Sequence, residues 1–266
     1  MVRIVVLDSV TQCQGRVQFG DVLVAGSFAG ALSLGLALPF GIRALIAHAA
    51  GVGKDAAGIS ALGVGDRLGI PVAAVETMSA RIGDGASVHD EGVISHANAA
   101  ARALGVEIDM GARVAAQQLT RACEPRASTA MGLVDENARV LEETAVGRVV
   151  CLDTLSLAAP ANAGDVLCAG SHSGHVNIEA LLRIVKPRGV IASDGGMARA
   201  RSGISGLALL DDARVAGAAV DAGSARIGDG RSTWQDGVIS ALNARAGEAG
   251  VVVGQPARTA ARRILH

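Results

Sequence analysis

Aromatic side chains are almost missing: the 266 residues include three Phe, one Trp and no Tyr. Lysine is as scarce, since Lys54 and Lys186 are the only two among 24 basic residues, and the net charge is −1. Nucleic-acid binding calls for a basic footprint and stacking platforms, so no nucleic acid is expected as a partner. The four cysteines, Cys13, Cys123, Cys151 and Cys168, show no CxxC spacing. A disulfide or zinc framework needs paired spacing, so reduced thiols in a cytoplasmic protein are expected, with no metal site. The start, MVRIVVLDSV, turns acidic too soon for a signal peptide. Charged residues make up only 18% of the chain, which favours self-association into a homo-oligomer.

What is present is a core's worth of apolar residues, 50% of the total, with 35 glycines in short clusters. Disorder requires low hydrophobicity and high net charge and is excluded for the bulk. Residues 22–42 carry no charge, a run long enough to span a bilayer. Its counterpart at 166–186 includes His172, His175, Glu179, Arg183 and Lys186. That load points to a buried strand and helix, with no membrane partner.

The counterpart exists because the chain is written twice. SARIGDG at 79–85 returns at 224–230, and GVIS at 92–95 returns at 237–240, both shifted by 145. At the same shift Gly58-Ile59-Ser60 matches Gly203-Ile204-Ser205, Asn98 matches Asn243, and RIVVLD at 3–8 matches RVVCLD at 148–153. GDVLVAGSFAG at 20–30 matches GDVLCAGSHSG at 164–174. A fixed offset held by several blocks in one order marks an internal repeat. The expected organisation is a first α/β repeat at 1–120, a linker at 121–147 with a polar helix over 135–144, and a second repeat at 148–266. Each repeat alternates short β-branched runs with helical stretches, the signature of an α/β class with parallel pairing. Further helices are expected at 92–104 and 110–119. The two copies are expected to pack as three-layer halves with pseudo-twofold symmetry.

The GDVLVA strand, the helix and Gly-rich turn after it, and GIPVAAV resemble the swivelling β/β/α domains, over residues 20–75 and 164–220. Those include the phosphohistidine domains of phosphoenolpyruvate-utilising enzymes, which carry a His before the second helix. Here that stretch reads AAGIS and RSGIS, without His, so the resemblance implies a fold and no phosphocarrier role.

Polar residues kept in both copies are the candidate site. In ARIGDG-x-S, Arg81 and Arg226 offer forks for an anion, with Asp84 and Asp229 placed to hold them. A helix beginning near Gly92 would add its positive end, and Ser95 and Asn98 would share its face, as would Ser240 and Asn243 in the second copy. The competing reading is a Gly-Asp-Gly turn with Arg–Asp pairing and Asn bonded to backbone. Ser27 and Ser171, between a strand and a helix, are candidates for ligand binding and for a nucleophile respectively, or for helix N-caps. His172 occurs only in the second copy, and Asp194 beside Gly195 and Gly196 has no acidic counterpart. Ser171, His172 and Asp194 are therefore the candidate catalytic groups. No dinucleotide fingerprint is present, so no nucleotide cofactor is expected. The reading is a small-molecule enzyme of hydrolase or isomerase type, acting on a small anionic or polar metabolite at strand ends or between the repeats. The alternatives are a non-catalytic metabolite-binding or regulatory subunit, and a structural self-assembling subunit.

Overall fold

A computed structural model describes residues 2–125, 132–135 and 137–266. The chain divides into two compact units. Unit 1 comprises Met1–Val52, Ala56–Val134 and Ala198–Ala200; unit 2 comprises Gly53–Asp55, Asp135–Met197 and Arg201–His266.

Unit 1 runs β1 (Ile4–Leu7), β2 (Val22–Phe28), α1 (Ala31–Ala37), β3 (Ala44–His48), α2 (Ala61–Leu68), β4 (Val72–Val75), α3 (Gly85–Glu91), β5 (Ile94–Ala97), α4 (Ala99–Ala103) and α5 (Ala112–Leu119). Its sheet order is β1-β2-β3-β4-β5. The first four strands are parallel, and β5 is antiparallel to β4. Strands covered on both faces read as continuous apolar runs, and β2, β3 and β4 are buried at every residue. Alternation then divides them. Leu23, Leu45 and Val72 pack with Leu34 of α1 and Val64 of α2. Val24, Ile46 and Ala73 face the other way, onto Val88 of α3 and Leu119 of α5. The charge-free run 22–42 is thus strand β2 and helix α1 inside a core. Among the described residues no helix is long and apolar enough to cross a membrane.

Unit 2 runs β6 (Arg139–Thr144), β7 (Gly147–Leu152), β8 (Val166–His172), α6 (His175–Ile184), β9 (Gly189–Ser193), α7 (Leu207–Asp212), β10 (Ala216–Val220), α8 (Gly230–Asp236), β11 (Ile239–Leu242), α9 (Ala244–Glu248) and α10 (Ala257–Leu265). Its sheet order is β11-β10-β9-β8-β7-β6, with β7 to β10 parallel and both edges antiparallel. Leu167 and Val190 pack on Ile178 and Leu210; Val166, Ile191 and Val220 pack on Ala260 and Leu265.

Two expected helices are corrected. Residues 139–144 form strand β6, because Thr144 and Gly147 close a hairpin that pairs this polar stretch with β7. A two-stranded ladder at a sheet edge leaves one face wet, so its polarity mimicked a solvated helix. Residues 126–131 and 136 of the expected linker lie outside the described residues. Over 92–104, Gly92 ends α3, residues 94–97 form β5, and only Ala99–Ala103 is helical.

Chain connection explains why glycine recurs at fixed places. After β4 the chain returns to the β1 and β2 ends before entering α3. Gly83 N–H donates to Gly26 O at 2.7 Å, and Gly85 N–H donates to Asp8 Oδ1 at 3.0 Å. In unit 2, Gly228 N–H donates to Gly170 O at 2.8 Å and Gly230 N–H to Asp153 Oδ1 at 3.0 Å. Gly26 and Gly170 lie where β2 and β8 shift register against β3 and β9. A Cβ on Gly26 would lie 2.5 Å from Asp84 N and 2.6 Å from Asp8 O. One on Gly170 would lie 2.6 Å from Asp153 O. All of these neighbours are backbone atoms, which cannot rotate away.

Gly170→Ala should therefore lose roughly 1–3 kcal/mol of unfolding free energy, the usual cost of overpacking. Fluorescence of the single Trp, Trp234 on α8, follows the denaturant midpoint in unit 2. An unchanged midpoint would mean that the turn does not close on Gly170.

Candidate functional site

The turn that closes on Gly26 and Gly170 contains the densest repeated block. Asp84 and Asp229 cap α3 and α8, accepting from Ser87 N–H at 2.8 Å and from Ser232 N–H at 2.9 Å. Ser87 Oγ accepts from Arg81 N–H and donates to Glu91; Ser232 Oγ accepts from Arg226 N–H and donates to Asp236. Gly83 and Gly228 take φ of +79° and +88°, a region open to glycine at no steric cost. Asp, Ser and Gly of the block are thus engaged in building the turn. Asp229 does hold Arg226, through Nε at 3.2 Å and Nη2 at 3.0 Å, while Arg226 Nη1 donates to Asp55 at 3.1 Å. Both carboxylates raise the Arg226 pKa above its ordinary value. Arg81 is held more loosely, 4.0 Å from Asp84 and 3.9 Å from Glu91.

Asn98 and Asn243 are buried brackets. Asn98 Oδ1 accepts from Val72 and Ala101 N–H, and its Nδ2 donates to Ile70 and Leu62 carbonyls. Asn243 repeats this with Gly217, Ala246, Val215 and Leu207. Each caps the short helix after it, so the expected shared helix face with Ser95 or Ser240 is replaced by a strand and a cap. The expected positive helix end near Gly92 is likewise replaced: α3 begins at Gly85 and stops before Gly92.

Ser27 and Ser171 lie within β2 and β8, where neither caps a helix. Their Oγ atoms accept from Val10 N–H at 3.0 Å and Leu155 N–H at 2.9 Å, fastening 3-10 turns that follow β1 and β7. The first N–H groups of α1 and α6 are met instead from a distance, by Ser60 and Ser205. His172 is buried beside Gly174, whose N–H donates to Nδ1 at 3.1 Å. Asp194 Oδ1 accepts from Gly196 and Ala222 N–H, and Ser240 Oγ donates to Oδ2 at 2.9 Å. The hydrogen-bond partners of Ser171 and of Asp194 are therefore different groups.

A different pair does assemble. Ser240, half-buried on β11, sits between Asp194 and the Ala219 carbonyl, the latter at 3.3 Å. Burial raises the Asp194 pKa, against the lowering effect of its hydrogen bonds to Gly196, Ser240 and Ala222. Its two backbone donors fix the carboxylate, and its remaining oxygen faces a hydroxyl. Base, orienters and hydroxyl are the parts of an activated nucleophile. Sequence reasoning had both residues but in separate roles, because a strand end and an antiparallel edge strand 46 residues apart leave no spacing signal. Among the described residues no group of three or more His, Cys, Asp or Glu could hold a metal ion. No family model, no curated protein and no solved structure matches the chain.

One buried group in unit 1 lies outside the candidate site residues. His48, at the end of β3, accepts from Ala50 N–H at Nδ1 and turns Nε2 to the Thr77 and Ala80 carbonyls, both at 3.1 Å. That arrangement requires a neutral ring protonated at Nε2, and burial lowers its pKa despite those carbonyls and Glu76. The unfolded chain then binds the proton first on acidification, so stability contributed by His48 is full above the ordinary pKa of about 6.5 and is lost below it. Asp194 and Asp153, raised by burial, act with the opposite sign above about pH 4 and equally in any His48 variant. Wild-type unfolding free energy should fall between pH 7.5 and 5 more steeply than that of His48→Gln, measured by urea titration. Parallel profiles would show that folding leaves the proton affinity of His48 unchanged, against the neutral buried ring.

Proposed function

We propose that this chain is a hydrolase of small polar metabolites, with Ser240 as nucleophile and Asp194 as its base. The 2.9 Å contact between Ser240 Oγ and Asp194 Oδ2 carries this reading. Asp194 takes the hydroxyl proton while Oγ attacks a carbonyl carbon. It then returns that proton to the leaving group, and an acyl ester remains on Ser240. Water, deprotonated by the same carboxylate, releases the acid and restores the serine. A carboxylate kept above its ordinary pKa by burial is a better base than an exposed one, and the Gly196 and Ala222 donors keep it aimed. Arg81 would serve an anionic group on a ligand of unit 1, having the looser carboxylate partners. Ser171 and His172 act as supports of the β8 end in this scheme.

The reading also includes descent from one duplicated α/β repeat, at 1–120 and 148–266. Its support is the shared set of bonds: paired caps at Asp84 and Asp229, paired brackets at Asn98 and Asn243, and paired closures on Gly26 and Gly170.

The test is turnover of a panel of small esters, amides and cyclic amides. Removing the nucleophile or the base of such a pair costs about 10²–10⁴-fold in rate. Ser240→Ala and Asp194→Asn should each lower kcat by at least about 10²-fold while circular dichroism stays native. Turnover unaffected by both substitutions would overturn the assignment. Ligand-induced stabilisation without turnover of any compound would favour the metabolite-binding subunit.

A further inference from the structure

The serine kept at this place in unit 1, Ser95, has its own base. Ser95 lies on β5 as Ser240 lies on β11, each on an antiparallel strand beside a register shift, between Ala74 and Val75 or between Ala219 and Val220. Each Oγ is in hydrogen-bond reach of the facing carbonyl, Ala74 at 3.2 Å or Ala219 at 3.3 Å, and each residue is half-buried. The surroundings differ in a compensating way. Asp194 N–H donates to Val220 O; in unit 1 the residue whose N–H donates to Val75 O is Ala49, which carries no carboxylate. Conversely, the residue after Ser240 is Ala241, whereas the residue after Ser95 is His96, with Nδ1 2.9 Å from Ser95 Oγ. A base is lost on one side of the serine and gained on the other.

We propose that unit 1 holds a second nucleophile, Ser95, with His96 Nδ1 as its base and carbonyl or phosphoryl esters as its substrate class. This rests on the reading of Ser240 as a nucleophile only for the analogy; the Ser95–His96 contact stands by itself. Imidazole accepts the hydroxyl proton as Oγ attacks and passes it to the leaving group, which is the role histidine takes most often in such pairs. Two units with one serine each, one served by a carboxylate and one by an imidazole, would act on different substrates.

The test treats the full chain with a fluorophosphonate. Oγ attacks phosphorus, fluoride leaves, and the hydroxyl proton goes to the base, so each reactive serine gains one phosphonyl group. Peptide fragmentation then locates the adducts. The proposal expects adducts at Ser95 and Ser240. In His96→Gln the rate at Ser95 should drop by about 10²-fold or more, with circular dichroism native and the rate at Ser240 unchanged. An adduct at Ser240 with none at Ser95 overturns this inference and leaves the proposed function standing. An adduct at Ser95 alone does the reverse. Labelling of Ser95 at an undiminished rate in His96→Gln overturns the assignment of the base, and no adduct at either serine overturns both readings.

Discussion

Within each unit the arrangement depends on one close approach of backbone to backbone, at a glycine where a parallel strand shifts register. Gly26 and Gly170 carry no side chain, so the turn holding Gly83 or Gly228 can lie against them and donate to their carbonyls. An aspartate at the end of the neighbouring strand, Asp8 or Asp153, receives the next free amide. The helix that follows is thereby capped, oriented and set across the sheet. Its end fixes where the chain comes back, and the returning strand has to run antiparallel. Ser95 and Ser240 are carried on that strand, so their position is a consequence of a contact made at the far side of the sheet.

Much of this architecture was legible in the chain. The buried run 22–42 could be read as strand plus helix because its partner at 166–186 carries charge at helical spacing. The parallel strands announced themselves as short β-branched runs closed by Gly or Asp. Two segments misled for physical reasons. GVISHA contains a two-residue alternation too short to outweigh the alanine-rich stretch after it, and the polar hairpin strand β6 has one wet face, as a surface helix does. Hydrogen-bond partners of polar residues were the least legible. Asn98 reads equally well as a ligand for substrate or a bracket for backbone, and only the neighbourhood of Ile70 and Val72 decides between them.

Residues common to both halves turned out to be mostly engaged with backbone. Asp84, Asp229, Asn98, Asn243, Ser27 and Ser171 satisfy amides and carbonyls that burial would otherwise leave without water, a debt of about 1–3 kcal/mol for each group. Chemical differences between the halves lie around the serines of β5 and β11, where Ala49 stands at the place of Asp194 and Ala241 at the place of His96. Repetition in this chain therefore marks the scaffold, and the titratable neighbours of the two serines are where the halves differ.

Amide hydrogen exchange at Gly83, Gly85, Gly228 and Gly230 tests the central contact most directly. If the turns are locked onto Gly26 and Gly170, these four amides exchange only through global unfolding, with protection matching that of β2 and β8. Exchange of the glycine amides by local opening, orders of magnitude faster than the strands beneath them, would contradict the account.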